Sequence, residues 1–472
     1  MIELDVAIVG GGFSGCAVAA NLARLAAPDF SLGLFEPDEL GRGAAYGTRH
    51  REHLLNTRAH LMSLYSDDPY HFVRWLGSRG GPMDFVSRRL YGQYIGENAR
   101  HAFERPRFAR VRDRVAALQH RDPNGFVIET CSGSRFGARA VVLATGNPLP
   151  NEEFLPPEIR HHPGYVADPW RFDYRIVGGE VLVIGSGLTA LDVLVALKEC
   201  GHRGAVHVLS RRGRLPEVHA NVAPYDLIPV LDTQSARALL RSFRRRVYDA
   251  AQRGFDWRAV VDVLRPEGEA IWRRLPQAEQ GRFERHLRAH WDRHRHRAPQ
   301  QVEAVRQAYR HSGRLYSYAG RLLRMEHGKA TIALSGAQTV ELRPDWIVNS
   351  SGVGRVSAMR RDPLLAAMLA QGYLSPEATG LGLRATWDLV AVDAAGNPVS
   401  GLWIVGPPVR GSRFEATAVP ELRGMAELVA SQICEQYTSR SEPALAYKTR
   451  FQDAQWKRPQ TESCIPFTVG GY

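Results

Sequence analysis

Residues 4–9 form an apolar run, a cluster of glycines follows, and apolar positions then recur at helical spacing to residue 25, in the stretch DVAIVGGGFSGCAVAANLARL. A second apolar run, SLGLFE, occupies residues 31–36. The same grammar returns at residues 180–199, EVLVIGSGLTALDVLVALKE, and 205–212, AVHVLSRR. Strand, glycine turn, amphipathic helix and strand make a βαβ unit, and its parallel strands predict a doubly wound sheet. The wide separation of the two units marks a repeat of domains, not a short solenoid period. Between them lie a loop-rich stretch (37–48), helical pieces and a β-patterned region (110–142) that closes on AVVLATG at 140–146. Residues 233–312 carry helical periodicity (Leu239, Leu240, Phe243, Val247) and read as a helical insert. Strand patterning resumes at 322–334 and 345–349, and a last strand-turn-helix spans 401–433. The polar tail beyond residue 436 reads as a surface extension.

The glycine turns carry the first chemistry. In Gly10-x-Gly12-x-x-Gly15 the first glycine permits the tight turn, the second lets backbone approach a pyrophosphate, and the third allows close helix–strand contact. Amides at the helix N-terminus then meet the anion. Glu36 ends the next strand, where a carboxylate accepts both ribose hydroxyls. The second turn, Gly185-x-Gly187-x-x-Ala190, is followed by a strand ending in Ser210, Arg211 and Arg212. A carboxylate there would repel a 2′-phosphate, whereas a hydroxyl and guanidinium groups bind it, so NADPH is expected over NADH. The acid-terminated first unit suits the AMP half of FAD. Hydride would pass from nicotinamide to flavin.

The expected fold class is therefore α/β, with two Rossmann-like dinucleotide-binding domains and an α-helical insert. The FAD-binding domain is expected at 1–172 and 355–436, and the NADPH-binding domain at 173–232 and 313–354. The insert takes 233–312 and a C-terminal extension 437–472.

Composition narrows the class further. The 472 residues suggest about three domains. With 44% apolar, 23% charged and 9% aromatic residues, disordered, collagen-like and disulfide-scaffold chains are excluded. Five cysteines (Cys16, Cys131, Cys200, Cys434, Cys464) form no CxxC pair, which fits a reducing cytoplasm and leaves no dithiol for disulfide reduction. Cys16 is expected to be a small buried core residue. No leader and no 18-residue apolar stretch is evident, so a soluble cytoplasmic protein without membrane contact is expected. The net charge is +12, from 61 Lys and Arg against 49 acids, and only four of the basic residues are lysine. Residues 235–314 hold 19 arginines against 9 acids. A local field of that sign favours phosphates, carboxylates or nucleic acid.

Beyond the two turns, the chain resembles the two-dinucleotide-binding flavoproteins, and among them bacterial FAD/NAD(P)-binding oxidoreductases of the flavin-dependent monooxygenase type. The resemblance is carried by GRGAAYGT (41–48), HLLNTRAHLMSL (53–64), FVSRRLYGQYI (85–95), LATGNP (143–148), ADPW (167–170), GSGLTALD (185–192), RFERHLRAHWDRHRHRAP (282–299), VNSSGVG (348–354) and VGPPVRGSRFEATAVPELR (405–423). It runs nearly to residue 433 and is specific for fold and cofactors, not for substrate.

The resemblance implies an FAD site at Gly10, Gly12, Phe13, Ser14, Gly15, Glu36, Tyr46, Asn56, Met62, Ser63, Val115, Ala144, Thr145, Gly146, Gly406, Glu421 and Leu422. It implies an NADPH site at Gly185, Gly187, Leu188, Thr189, Ser210, Arg211, Arg212, Ser351 and Gly352. The helix bearing Glu421 should point its N-terminus at the flavin pyrimidine edge, where reduced flavin carries negative charge. Relatives hold the ribityl chain with a Gly-Asp pair before that helix; here Gly406-Pro407 stands in its place, so another group must make that contact.

By the same resemblance, reduced flavin would deliver electrons to dioxygen through a C4a-hydroperoxide in a dry pocket, with no obligatory side-chain triad. The segment HHPGYVADPW (161–170) keeps Gly164 and Trp170 of the Baeyer–Villiger fingerprint but lacks its middle histidine, which puts ketone insertion in doubt. Amino-acid N-oxygenation is favoured, with a small anionic substrate met by Arg295 and Arg297 of the insert. His286, His290 and His294 recur at helical spacing, yet no carboxylate or cysteine partner is evident for a metal, and none is assigned. Trp257, Trp272 and Trp291 read as packing anchors. The rivals are a dehydrogenase or reductase without oxygen transfer, and a flavoprotein that binds nucleic acid through the insert, which the packing-like aromatic pattern disfavours. The oligomeric state stays open.

Overall fold

The structure is a computed structural model and describes residues 1–121 and 125–437. The extension from residue 438 onward, Cys464 included, lies outside the described residues. The chain first lays down β1 (Ile2–Val9), β2 (Leu32–Phe35), β3 (Phe108–Val111), β4 (Val115–His120), β5 (Phe126–Thr130) and β6 (Arg135–Leu143). A second sheet follows from β7 (Tyr165–Val166), β8 (Val181–Ile184), β9 (Val206–Ser210), β10 (Leu315–Glu326), β11 (Lys329–Leu334), β12 (Thr339–Leu342) and β13 (Trp346–Asn349). The chain then returns to the first sheet with β14 (Val390–Val392) and β15 (Pro398–Ile404).

The first sheet runs β14-β15-β6-β1-β2-β3, with β4 and β5 folding off β6 as an antiparallel meander. The second runs β12-β11-β10-β9-β8-β13-β7, parallel from β7 to β10. β2 and β8 are buried at every position, as central parallel strands covered on both faces must be. In register, Val9 stands level with both Phe35 and Leu143. The turn after β1, the end of β2 and the end of β6 therefore meet at one edge. The strand order reverses there between the parallel neighbours β1 and β6, and likewise between β8 and β13, which opens a ligand crevice above each sheet. The Phe13–Leu25 helix is covered by the Val419–Gln436 and Arg88–Ala102 helices.

Two expected boundaries differ. β7 pairs with β13, and Leu155 and Ile159 pack with Leu182 and Ile347, so the chain enters the second unit well before residue 172. The Gln300–His311 helix also belongs to that unit. Its Val302, Val305 and Tyr309 pack with Leu191 and Val195, which makes it the crossover helix into β10 rather than part of the insert. Among the described residues, no helix is long and apolar enough to cross a membrane.

Candidate functional site

The two nucleotide turns are built alike. Gly10 has φ +105°, and a Cβ there would lie 2.4 Å from the Ala144 carbonyl oxygen. Gly185 has φ +110°, and its Cβ would lie 2.1 Å from the Ser350 oxygen. At Gly15 a Cβ would come within 1.9 Å of the Gly10 oxygen, so helix and turn touch backbone to backbone. Gly187 faces open space, and Gly12 meets only Gly43 at 3.7 Å. Neither helix that starts at these turns has a side-chain cap, which leaves N-terminal amides for an anion.

At the end of β2 the Glu36 carboxylate accepts from the Gly11 amide (2.7 Å) and the Asp38 amide (3.0 Å). It is half-buried and fixed at the edge where a ribose would lie. Phe13 stacks on Tyr91 with ring centroids 6.4 Å apart, and Tyr46 meets Tyr91 edge-on at 4.9 Å. Burial pushes the Tyr46 hydroxyl up to about 12. Ser14 sits under the last turn, where a Cβ on Gly406 would lie 2.6 Å from its hydroxyl. Thr145 and Gly146 leave the end of β6 partly exposed.

The Asn56 carbonyl accepts from His219 Nε2 at 2.9 Å, while its carboxamide makes no hydrogen bond among the described residues. Met62, Ser63, Val115 and Leu422 turn into the core, and the Ser63 hydroxyl is spent on the Asp68 carbonyl at 2.6 Å. Two buried polar atoms, Tyr91 Oη and Arg423 Nη1, have no partner among the described residues. Uncapped amides, a clear backbone approach at Gly12, an anchored carboxylate and orphaned donors fit an FAD.

In the second unit, Ser186 Oγ lies 2.8 Å from both the Ser210 hydroxyl and the Arg214 carbonyl. Ser186 is the donor to both, and Ser210 Oγ also accepts from the Gly213 amide at 3.0 Å. Arg212 donates to the His286 carbonyl at 3.0 Å, and Arg211 is exposed. Leu188 and Thr189 line the helix start, half-exposed. Ser351 Oγ donates to Asn349 at 2.7 Å, and Gly352 is open. The buried Ser350 hydroxyl has no partner among the described residues. These residues fit a dinucleotide.

The two arginines expected to meet a substrate are placed otherwise. Arg295 is buried in an ion pair with Glu415 at 2.9 Å, and Trp291 Nε1 donates to the same carboxylate at 3.0 Å. Arg297 is buried against Asp262. Arg295 is covered by the 407–418 segment of the first unit, which packs onto the insert through Phe414 and Trp272, stacked at 5.3 Å, whereas Arg297 is held within the insert itself. Arg265 reaches Glu421 with two nitrogens at 3.2 Å each, which ties the insert to the start of the final helix. Burial works to raise the Glu415 carboxyl, but Arg295, His296 and the Trp291 bond outweigh it and hold it below its ordinary value. Among the described residues, no three His, Cys, Asp or Glu converge as metal ligands.

Several functional contacts escaped the sequence reading. Arg88 pairs with Asp192 at 2.9 Å across the two units and lies 4.8 Å above the Trp170 ring. His53 reaches the Asp192 carbonyl and Thr48 Oγ1, both at 2.9 Å. Burial lowers His53 to about 3, helped by Arg88 and His50. Asp192 and Trp170 stand in quoted motifs, yet nothing in the linear chain pairs them with Arg88. A cleft of about 460 Å³ between the units is lined by Arg58, Arg79, Asp84, Phe85, His219 and Asn221, among others. Another, of about 660 Å³, lies beside β10.

Comparison with known proteins agrees with this geometry. Residues 7–148 match the FAD-NAD(P)-binding family. A Baeyer-Villiger monooxygenase of Streptomyces coelicolor is 27% identical over 46% of the chain, and the match spans 36% of that relative's length. An ornithine hydroxylase of Pseudomonas aeruginosa shares the fold with a TM-score of 0.63 at 14% identity, over 92% of this chain and 99% of that one. A bacillithiol disulfide reductase of Staphylococcus aureus does so at 0.58 and 11%, over 93% and 100%. The FAD-NAD(P)-binding match thus covers residues 7–148, and the chain shares its fold with the ornithine hydroxylase and the bacillithiol disulfide reductase.

Proposed function

We propose that this chain is a cytoplasmic FAD-dependent monooxygenase, recharged by NADPH, that oxygenates a small carboxylate-bearing amine at nitrogen. The observation that carries the reading is the pair of uncapped glycine turns with opposite strand-end chemistry, Glu36 in one and a serine with arginines in the other. The similarity to an ornithine hydroxylase and to a Baeyer-Villiger enzyme supports oxygen transfer over simple dehydrogenation. Bound flavin supplies electron transfer and oxygen activation.

The protein's own part is to hold, orient and keep dry. Glu36 and the Gly10–Gly15 turn would hold the AMP half, and the N-terminus of the final helix would offer its amides to the charge on the reduced ring system. The 460 Å³ cleft takes over the substrate role first given to Arg295 and Arg297. Its volume is that of a small-molecule site, roughly 300–1,000 Å³. Arg58 and Arg79 set a carboxylate at its rim. His219 donates Nε2–H to the Asn56 carbonyl, so Nδ1 is left as a hydrogen-bond acceptor for an amine N–H. Burial and Arg297 lower His219 to about 4, so it stands neutral at physiological pH. Disulfide reduction is disfavoured: Cys16 gives its thiol hydrogen to the Gly11 carbonyl at 3.1 Å, and burial pushes it up to about 12.

Anaerobic mixing of the FAD-loaded protein with NADPH is expected to bleach the flavin absorbance, and product formed under ¹⁸O₂ to carry the label. No bleaching with NADPH or NADH removes the oxidoreductase reading. Bleaching followed by unlabelled product reduces it to a dehydrogenase.

A further inference from the structure

The groups at the end of β9 are engaged only in part: Arg211 is exposed, while Ser210 and Arg212 have protein partners. Ser210 Oγ accepts from Ser186 and from the Gly213 amide, and Arg212 donates to the His286 carbonyl. Directly beyond them opens the 660 Å³ cleft, lined by residues 213–217, Arg293, Arg306, Arg310, Leu315 and Ser317. Four elements contribute to it: the loop after β9, the insert through Arg293, the crossover helix through Arg306 and Arg310, and β10 through Leu315 and Ser317. Four guanidinium groups, with Arg214, stand against one lining carboxylate, Glu217.

Arg293 pairs with Glu217, and Arg306 with Glu303, yet the Nε of each arginine is buried with no hydrogen-bond partner among the described residues. Arg214 and Arg310 are exposed and join no ion pair among the described residues. With two of the four guanidinium groups joining no such pair, the cleft keeps a positive charge that favours an anion. The strand order places the cleft on the β9–β10 side of the reversal between β8 and β13, the side on which the adenosine half of a dinucleotide lies. Ser186, inside the glycine turn itself, is bonded to the Arg214 carbonyl, so turn and cleft are continuous.

We propose that this cleft seats the 2′-phosphorylated adenosine end of the coenzyme, with Arg214, Arg293 and Arg306 holding the phosphate. The proposal rests on the NADPH reading above. It makes the insert part of the coenzyme site: Arg293 lies two positions from Arg295, whose partner Glu415 belongs to the flavin-side segment.

Titration calorimetry of the FAD-loaded protein with 2′-AMP and 5′-AMP tests it. The wild type is expected to prefer 2′-AMP. Arg293→Gln and Arg306→Gln should each weaken 2′-AMP about tenfold or more and leave 5′-AMP unchanged. Arg310→Gln breaks no ion pair and should give a smaller loss in the same direction. If 2′-AMP affinity stays at the wild-type value in Arg306→Gln and Arg310→Gln and is lost in Arg211→Gln, the phosphate sits at the strand end. The proposal then falls while the NADPH reading stands. If the wild type does not distinguish the two nucleotides and NADH bleaches the flavin as well as NADPH, both readings fall.

Discussion

Glu36 does with one carboxylate what a capping residue and a ligand would otherwise share. It satisfies the Gly11 and Asp38 amides and, on the proposed FAD reading, would still have oxygen to offer a ribose. Glu36→Gln keeps the shape and removes the charge that makes these bonds strong, worth about 1.5–3 kcal/mol each. The variant is expected to release FAD at least tenfold more readily, read as recovery of free-flavin fluorescence on dilution. Arg295 offers the opposite lesson. An isolated arginine on an amphipathic, strongly basic stretch reads as a surface cation, but here it neutralises a buried acid brought from 120 residues away. Arg295→Met leaves Glu415 without its main partner and should cost about 3–5 kcal/mol in urea unfolding. Arg295→Met with Glu415→Leu should recover most of that loss.

Among the elements, the glycine turns and their strands were legible because backbone geometry forces the residue type: only glycine clears a carbonyl at 2.4 Å with φ +105°. Long-range pairings were not legible, since the Arg88–Asp192 and Arg265–Glu421 contacts depend on which elements the crossovers bring together. The Gln300–His311 helix was assigned to the insert because helical spacing reports a buried face without naming what buries it.

Arg88, His53 and Asp192 form a joint between the units with a definite acid response. His53 sits near 3 in the folded protein against an ordinary 6.5, so the unfolded chain takes up a proton that the folded one refuses. That term is lost as pH falls below 6.5. Burial, opposed by Arg88, raises Asp192 to about 6 from 3.8, and its term runs the other way, favouring the folded state as pH falls from 6 toward 4. His53→Asn removes only the first. Between pH 7 and 5 it should lose about 2 kcal/mol less stability than the wild type, measured by urea midpoints at both values. Arg88→Met should destabilise by about 3 kcal/mol at pH 7, with Arg88→Met/Asp192→Leu partly restored.

Across the whole molecule, charge reads differently once folded. The basic segment at 235–314 spends much of its arginine internally, on Glu415, Glu421, Asp262, Glu284, Glu217 and Glu303. Its tryptophans are likewise committed: Trp272 to Phe414 and Phe283, and Trp291 to Glu415. A chain with stacking aromatics and free cations would bind RNA with a steep salt dependence. This one is expected to show only weak binding, no tighter than about 10⁻⁶ M at physiological salt, by fluorescence anisotropy on a mixed-sequence RNA.

The first sheet is closed by β15, which pairs with β6 more than 250 residues after β6 has been made, and the last helix that covers it ends at Gln436. During synthesis the second unit and the insert therefore leave the ribosome complete while the amino-terminal sheet still has an open parallel edge and an uncovered face. A transcript cut short anywhere before β15 yields a product whose unpaired strand invites aggregation or chaperone capture, however well its two glycine turns have formed.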